Sequence, residues 1–122
     1  FEPARNINEK IRVDCVLNFD VLEHIFISDI PAVLRDIFKY AKKLVVINIA
    51  CYKANALLHN GENAHVTVRS ALWWKGVIDC LLPEFPKLKI YLLCSKAYGN
   101  AEMFPVFSDH ERQKNNNFVV TD

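Results

Sequence analysis

Glycine is scarce in this 122-residue chain: Gly61, Gly76 and Gly99 are the only three, and they lie far apart. Phosphate- and dinucleotide-binding loops need closely spaced glycines so that the backbone can approach the ligand, and none can be built here. There is no surplus of basic charge either. Fifteen Lys and Arg face fourteen Asp and Glu, a formal net charge of +1, which leaves nothing to neutralise a run of phosphates and argues against nucleic acid as a partner. The longest apolar run, 44–50, is interrupted by Asn48 and falls far short of the roughly 20 residues of a membrane span, so no membrane partner is expected.

The four cysteines, Cys15, Cys51, Cys80 and Cys94, follow neither CxxC nor zinc-finger spacing. Cys15, Cys80 and Cys94 stand among aliphatic residues and read as small buried hydrophobes, which suits a reducing, cytoplasmic setting. A metal set drawn from Cys51, His59, His65 and Cys80 lacks ligand spacing, and no metal is expected. The chain opens on Phe1 without a charged or apolar leader and reads as an internal piece of a longer protein. What is present is a 52% hydrophobic, 24% charged composition, that of one ordinary globular domain.

The apolar run VDCVLNF, Val13 to Phe19, predicts a strand buried on both faces. Ser28-Asp29-Ile30-Pro31 supplies capping oxygens and a first-turn proline. Ile30, Val33, Leu34, Ile37, Phe38 and Ala41 then recur at helical spacing, with Lys42 and Lys43 at the expected C-terminus, where cations suit the helix dipole. LVVINI, Leu44 to Ile49, predicts a second buried strand. A polar stretch from Cys51 to Arg69 follows, with a turn at Asn60-Gly61. Ser70 caps an expected second helix through Trp73, Trp74, Val77, Ile78, Leu81 and Leu82, ended by Pro83. Leu88 to Cys94 predicts a third strand. Ala97 to Asn117 reads as irregular, and Phe118 to Thr121 as a short last strand.

Alternating strands and helices predict a parallel sheet flanked by helices. Its first strand would offer an open edge, so self-association or pairing with a missing N-terminal segment is expected.

FDVLEHI, Phe19 to Ile25, directly after a strand and before a helix, resembles the segment after the fourth strand of class I S-adenosylmethionine-dependent methyltransferases. The likeness continues through PAVLRDIFKYAKK and LVVINIA. NGENAHVT (Asn60 to Thr67) and Trp73-Trp74 resemble a loop and helix start in one subgroup of that family. The resemblance covers about residues 1–95. It implies an α/β, Rossmann-like three-layer sandwich with a mostly parallel sheet, incomplete because the N-terminal strands and glycine-rich loop are missing. Residues 1–96 would be the C-terminal half of such a domain, and 97–122 a polar extension. The implied function is part of a methyltransferase acting on a small-molecule acceptor, inactive as these 122 residues alone. The alternative is a non-catalytic, methyltransferase-like module that self-associates or binds a protein partner through its open sheet edge.

The resemblance implies S-adenosylmethionine as cofactor, contacted by Glu2, Asp20 and Leu22. Independently of it, ligands of open α/β sheets bind beyond the carboxyl ends of the strands. Asp20, Glu23 and His24 follow the first strand and the 51–69 stretch follows the second, so the two should share one rim. His65 and His24 are the candidate catalytic bases, because imidazole can accept a proton from a methyl acceptor near neutral pH; the alternative role for each is to tie a loop together through its ring nitrogens. Glu23 reads as a solvated carboxylate of the turn. Asn63, Thr67 and Trp74 are the candidate substrate contacts, although Asn63 and Thr67 also suit loop hydrogen bonds. Adjacent helical residues diverge by about 100°, so only one of Trp73 and Trp74 can be fully inward.

Overall fold

The computed structural model of the chain describes residues 11–97 and the backbone of a further strand at 100–107. Strand β1 (Val13–Phe19) leads into helix α1 (Ile30–Tyr40), and β2 (Ala41–Ala50) into α2 (Ala71–Leu81). Strand β3 (Lys89–Ala97) then turns back as β4 (Asn100–Phe107). The sheet order is β1-β2-β3-β4. The first three strands are parallel and β4 is antiparallel to β3. This is the mostly parallel open sheet of an incomplete Rossmann-like α/β fold.

The strand order advances in one direction only, so crossovers of one hand place both helices on the same face, where α1 and α2 touch. Val45, Ile47 and Ile49 of β2 and Ile90 and Leu92 of β3 project to that face and are fully buried. Ile30, Leu34 and Phe38 close over them from α1, and Trp74 and Ile78 from α2. Burying a side chain of this size contributes roughly 1.5–3 kcal/mol. Sheet and helices make two layers among the described residues; the other face of the sheet carries no helix there.

That open face explains the largest difference from the sequence reading. β1 is not buried on both faces: Leu17 is 63% and Phe19 49% exposed. Among the described residues it is the edge strand, paired on one side only, and its odd-numbered residues point away from the helices. The cysteine reading fails for the same reason at Cys15, and Cys80 also lies on the surface; Cys94 alone of the four is fully buried.

Helix α1 stops at Tyr40, and Ala41 is already extended (φ −88°, ψ 129°). The two lysines expected to close the helix are therefore exposed residues of β2. Asp29 stands at the helix start without a side-chain capping bond. At α2 the expected cap forms, the Ser70 hydroxyl accepting from the Trp73 N–H at 3.2 Å.

The boundary expected at residue 96 falls inside the sheet, because β3 runs to Ala97 and Asn100–Phe107 forms β4. Pro105 is accommodated because β4 borders only β3 among the described strands, and an edge strand tolerates a residue with no N–H to donate. The strand expected at 118–121 lies outside the described residues. No helix among those described is long and apolar enough to cross a membrane.

Candidate functional site

The carboxyl ends of β1 and β2 carry the two loops expected to share a rim, and these loops do meet. Asp20, the first residue after β1, adopts a left-handed conformation (φ 57°), which Asp tolerates better than most residues. Two bonds to Asn48 of β2 hold it: its N–H donates to the Asn48 carbonyl at 3.0 Å, and its Oδ1 accepts from Asn48 Nδ2 at 3.0 Å. Asn48 Oδ1 in turn accepts from the Ser95 hydroxyl of β3 at 3.3 Å. A polar chain therefore runs across the tips of three strands and ends at Asp20.

The next residues form a 3-10 turn, Leu22–His24. Leu22 and Glu23 turn inward while His24 stays exposed. Leu22 is completely buried in the core; its expected cofactor contact is corrected, because no side-chain surface remains to meet a ligand. Glu23 is likewise no solvated carboxylate. It is 1% exposed, and its Oε2 has no hydrogen-bond partner among the described residues. Burial pushes the Glu23 carboxyl above its ordinary value and Asp20 adds to the rise, against the lowering pull of backbone N–H groups at Glu23 and Ala50 and of His24.

Across from this turn stands His65, on the loop that follows β2. The two imidazoles meet edge to face with centroids 4.9 Å apart, and the Tyr52 ring also packs edge-on to His65 at 5.5 Å. Each ring is oriented through Nδ1, His24 on the Ala64 carbonyl at 2.8 Å and His65 on the Tyr52 carbonyl at 2.5 Å. A carbonyl only accepts, so both Nδ1 atoms carry the proton and, in the neutral rings, both Nε2 atoms keep a lone pair.

Asn63 and Thr67 build this loop. Asn63 Oδ1 accepts from the Ala54 N–H at 2.9 Å and the His65 N–H at 3.0 Å, and its Nδ2 donates to the Ala54 carbonyl at 2.8 Å. Thr67, 3% exposed, donates its hydroxyl to the Ile25 carbonyl at 2.6 Å and its N–H to the Glu23 carbonyl at 3.1 Å. Asn63 thus braces the second loop internally, and Thr67 fastens that loop to the first. Trp74 is corrected as well: it has no exposed surface and fills the core beneath α2. Trp73 stays partly exposed, edge-on to Trp74 and with the Arg69 guanidinium 5.9 Å from its ring centroid. Glu2 lies outside the described residues.

His65 stands between two open clefts. One, of about 560 Å³, runs from Phe26 and Ser28 past Asn63 to Arg69. The other, of about 410 Å³, is walled by Tyr52, Asn55 and Lys96. Lys53 lines both, a contribution the sequence did not signal. The inward turn of Glu23 was also hidden, since a three-residue turn has no periodicity from which to read its faces. Glu23, His24 and His65 each place one potential ligand atom within 4.8 Å of the others. A paired proton-accepting site beside a buried carboxyl is thus what the arrangement offers chemically. Searches against protein-family models, curated proteins and solved structures match nothing to this chain.

Proposed function

We propose that this domain is part of an S-adenosylmethionine-dependent methyltransferase and carries the acceptor side of its active site. The observation that supports it most is the meeting of His24 and His65 at the carboxyl ends of adjacent parallel strands, each with Nε2 left as a proton acceptor. The cofactor would supply an electrophilic methyl group on a sulfonium. Among the described residues, Asp20 is the one expected cofactor contact with an exposed side chain on this rim, held at its tip by Asn48. The fit is partial, because three scattered glycines cannot form the loop that the methionine end requires; that part would come from outside these residues. Within the domain, the clefts beside His65 would seat a small acceptor, and one Nε2 would take its proton as the nucleophile forms.

The test is calorimetric titration of S-adenosylhomocysteine into the longest natural form of the protein that contains these residues. Saturable one-to-one binding, weakened about tenfold or more by Asp20→Ala, is expected. Absence of binding, or equal affinity in both proteins, refutes the assignment.

A second reading, a non-catalytic module that assembles through its sheet edge, is favoured by one observation: exposed Val13, Leu17 and Phe19 along β1. It predicts a concentration-dependent dimer in light scattering that Leu17→Lys converts to monomer.

A further inference from the structure

We infer that Glu23, His24 and His65 form a binding site for a divalent transition-metal ion, with two imidazole nitrogens and one carboxylate oxygen as ligands. One potential ligand atom from each lies within 4.8 Å of the other two. Two imidazoles and a carboxylate are a recurrent donor set for zinc and its first-row neighbours when further positions are left for water or substrate. Only a short contraction would bring the three donors around one ion.

Two features beyond proximity point to a ligand. The first is the orientation of the rings. Histidines that bind metals commonly donate their second ring N–H to a carbonyl or carboxylate, which fixes the tautomer and aims the free nitrogen. Both rings do so here, His24 to the Ala64 carbonyl and His65 to the Tyr52 carbonyl. The second is Glu23 itself. Its side chain is almost wholly buried, yet Oε2 meets no donor among the described residues. A buried acceptor left unsatisfied is unfavourable, and a cation between the imidazoles would satisfy it.

The neighbouring groups are consistent with an ion at the rim. Asp20 is close enough to interact with Glu23 electrostatically and adds negative charge. Lys53 lines the adjoining clefts without belonging to the donor set. His24 is exposed, which gives the ion a path in from solvent. With the ion bound, both Nε2 lone pairs are engaged, and coordination would acidify a hydroxyl or amine ligand so that its proton passes to solvent water instead of to an imidazole. The site itself does not depend on methyl transfer.

The test uses tag-free protein stripped with chelator and titrated with Co²⁺, then with Zn²⁺ in competition. The expected result is one equivalent of Co²⁺ with visible d–d absorption, displaced by Zn²⁺ with Kd of about 10 μM or tighter. His24→Ala, His65→Ala and Glu23→Gln should each weaken binding about tenfold or more. His59→Ala, outside the cluster, should leave it unchanged. Glu23→Gln keeps the size of the side chain, so a circular dichroism spectrum like that of the parent separates a lost ligand from a lost fold. Weaker binding of either ion by the parent protein, or binding that survives all three substitutions, overturns the inference. Neither result bears on S-adenosylhomocysteine binding, which is measured separately on the chelated protein.

Discussion

Asn63→Ala should be the most damaging single change in the loop that carries His65. The amide is fully used: Oδ1 accepts two backbone N–H groups, from Ala54 and His65, and Nδ2 donates to the Ala54 carbonyl, all at 2.8–3.0 Å. Only one orientation of the amide satisfies all three partners, since the flipped form sets an NH₂ against two N–H groups. Truncation removes three bonds worth about 0.5–1.5 kcal/mol each and leaves three backbone groups unpaired. The site is only half-buried, so water recovers part of the loss and the net cost should be about 2–3 kcal/mol. With a urea slope of roughly 2 kcal/mol/M, the unfolding midpoint falls by about 1 M. Asn63→Asp keeps both acceptor interactions and loses only the donor, so it should cost about half as much. In nitrogen NMR spectra, the protonated Nδ1 of His65 should become mobile in the alanine variant and stay fixed in the aspartate variant. A change below about 0.5 kcal/mol in Asn63→Ala, with His65 unaltered, refutes the view that this side chain fastens the loop.

Trp74→Ala should destabilise the protein by about 3–5 kcal/mol in the same denaturation assay, and Trp73→Ala by roughly 1–2 kcal/mol; comparable losses at both would mean that their packing is misassigned. Ser70→Ala removes the cap of α2 and should cost about 1 kcal/mol, read as a lower melting midpoint. Glu23 binds its proton more tightly in the folded protein than unfolded. Its contribution is therefore fully present below the ordinary value of 4.5 and is lost as pH rises through the higher folded value. In chelated protein, stability attributable to Glu23 should decline with rising pH across that range, and Glu23→Gln should flatten the decline; parallel pH profiles for the two proteins would count against it.

The parts of this fold that were legible are those governed by period and punctuation. The 3.6-residue stripe from Ile30 to Phe38, the aliphatic run in β2 and the Ser70 cap each state their structure locally, and together they imply a parallel sheet with a polar rim. The hidden parts depend on what lies alongside. VDCVLNF reads as a core strand because nothing in it reports that the sheet ends there. Ala41 continues the helical stripe, yet the chain is drawn into register with β1 at that residue. In the site, the histidines were legible as polar residues past strand ends. Trp74 and Thr67 were not, because burial of a loop residue or a helix face is decided by tertiary packing. Glu23 is the sharpest case: a carboxylate in a turn almost always faces water, and only the folded packing places it inside.

The spacing between the two histidines is set by the sheet as well as by the anchoring bonds of the loops that bear them. His24 follows β1 by five residues, and His65 is anchored to the Tyr52 carbonyl, two residues past β2. Neighbouring strands stand about 4.8 Å apart, whatever their connections do. Insertions at the tip of the 55–62 excursion would therefore leave the pair intact, and that segment is free to diverge. A slip of β1 against β2 is a different matter. Two residues, the smallest shift that keeps the same side chains facing the helices, would carry His24 about 6.6 Å along the strand direction. The pair would be dissolved without any change of sequence at either histidine. Strand register is thus the inherited quantity on which this rim depends, and the loop sequence between its anchors is the part evolution can rewrite.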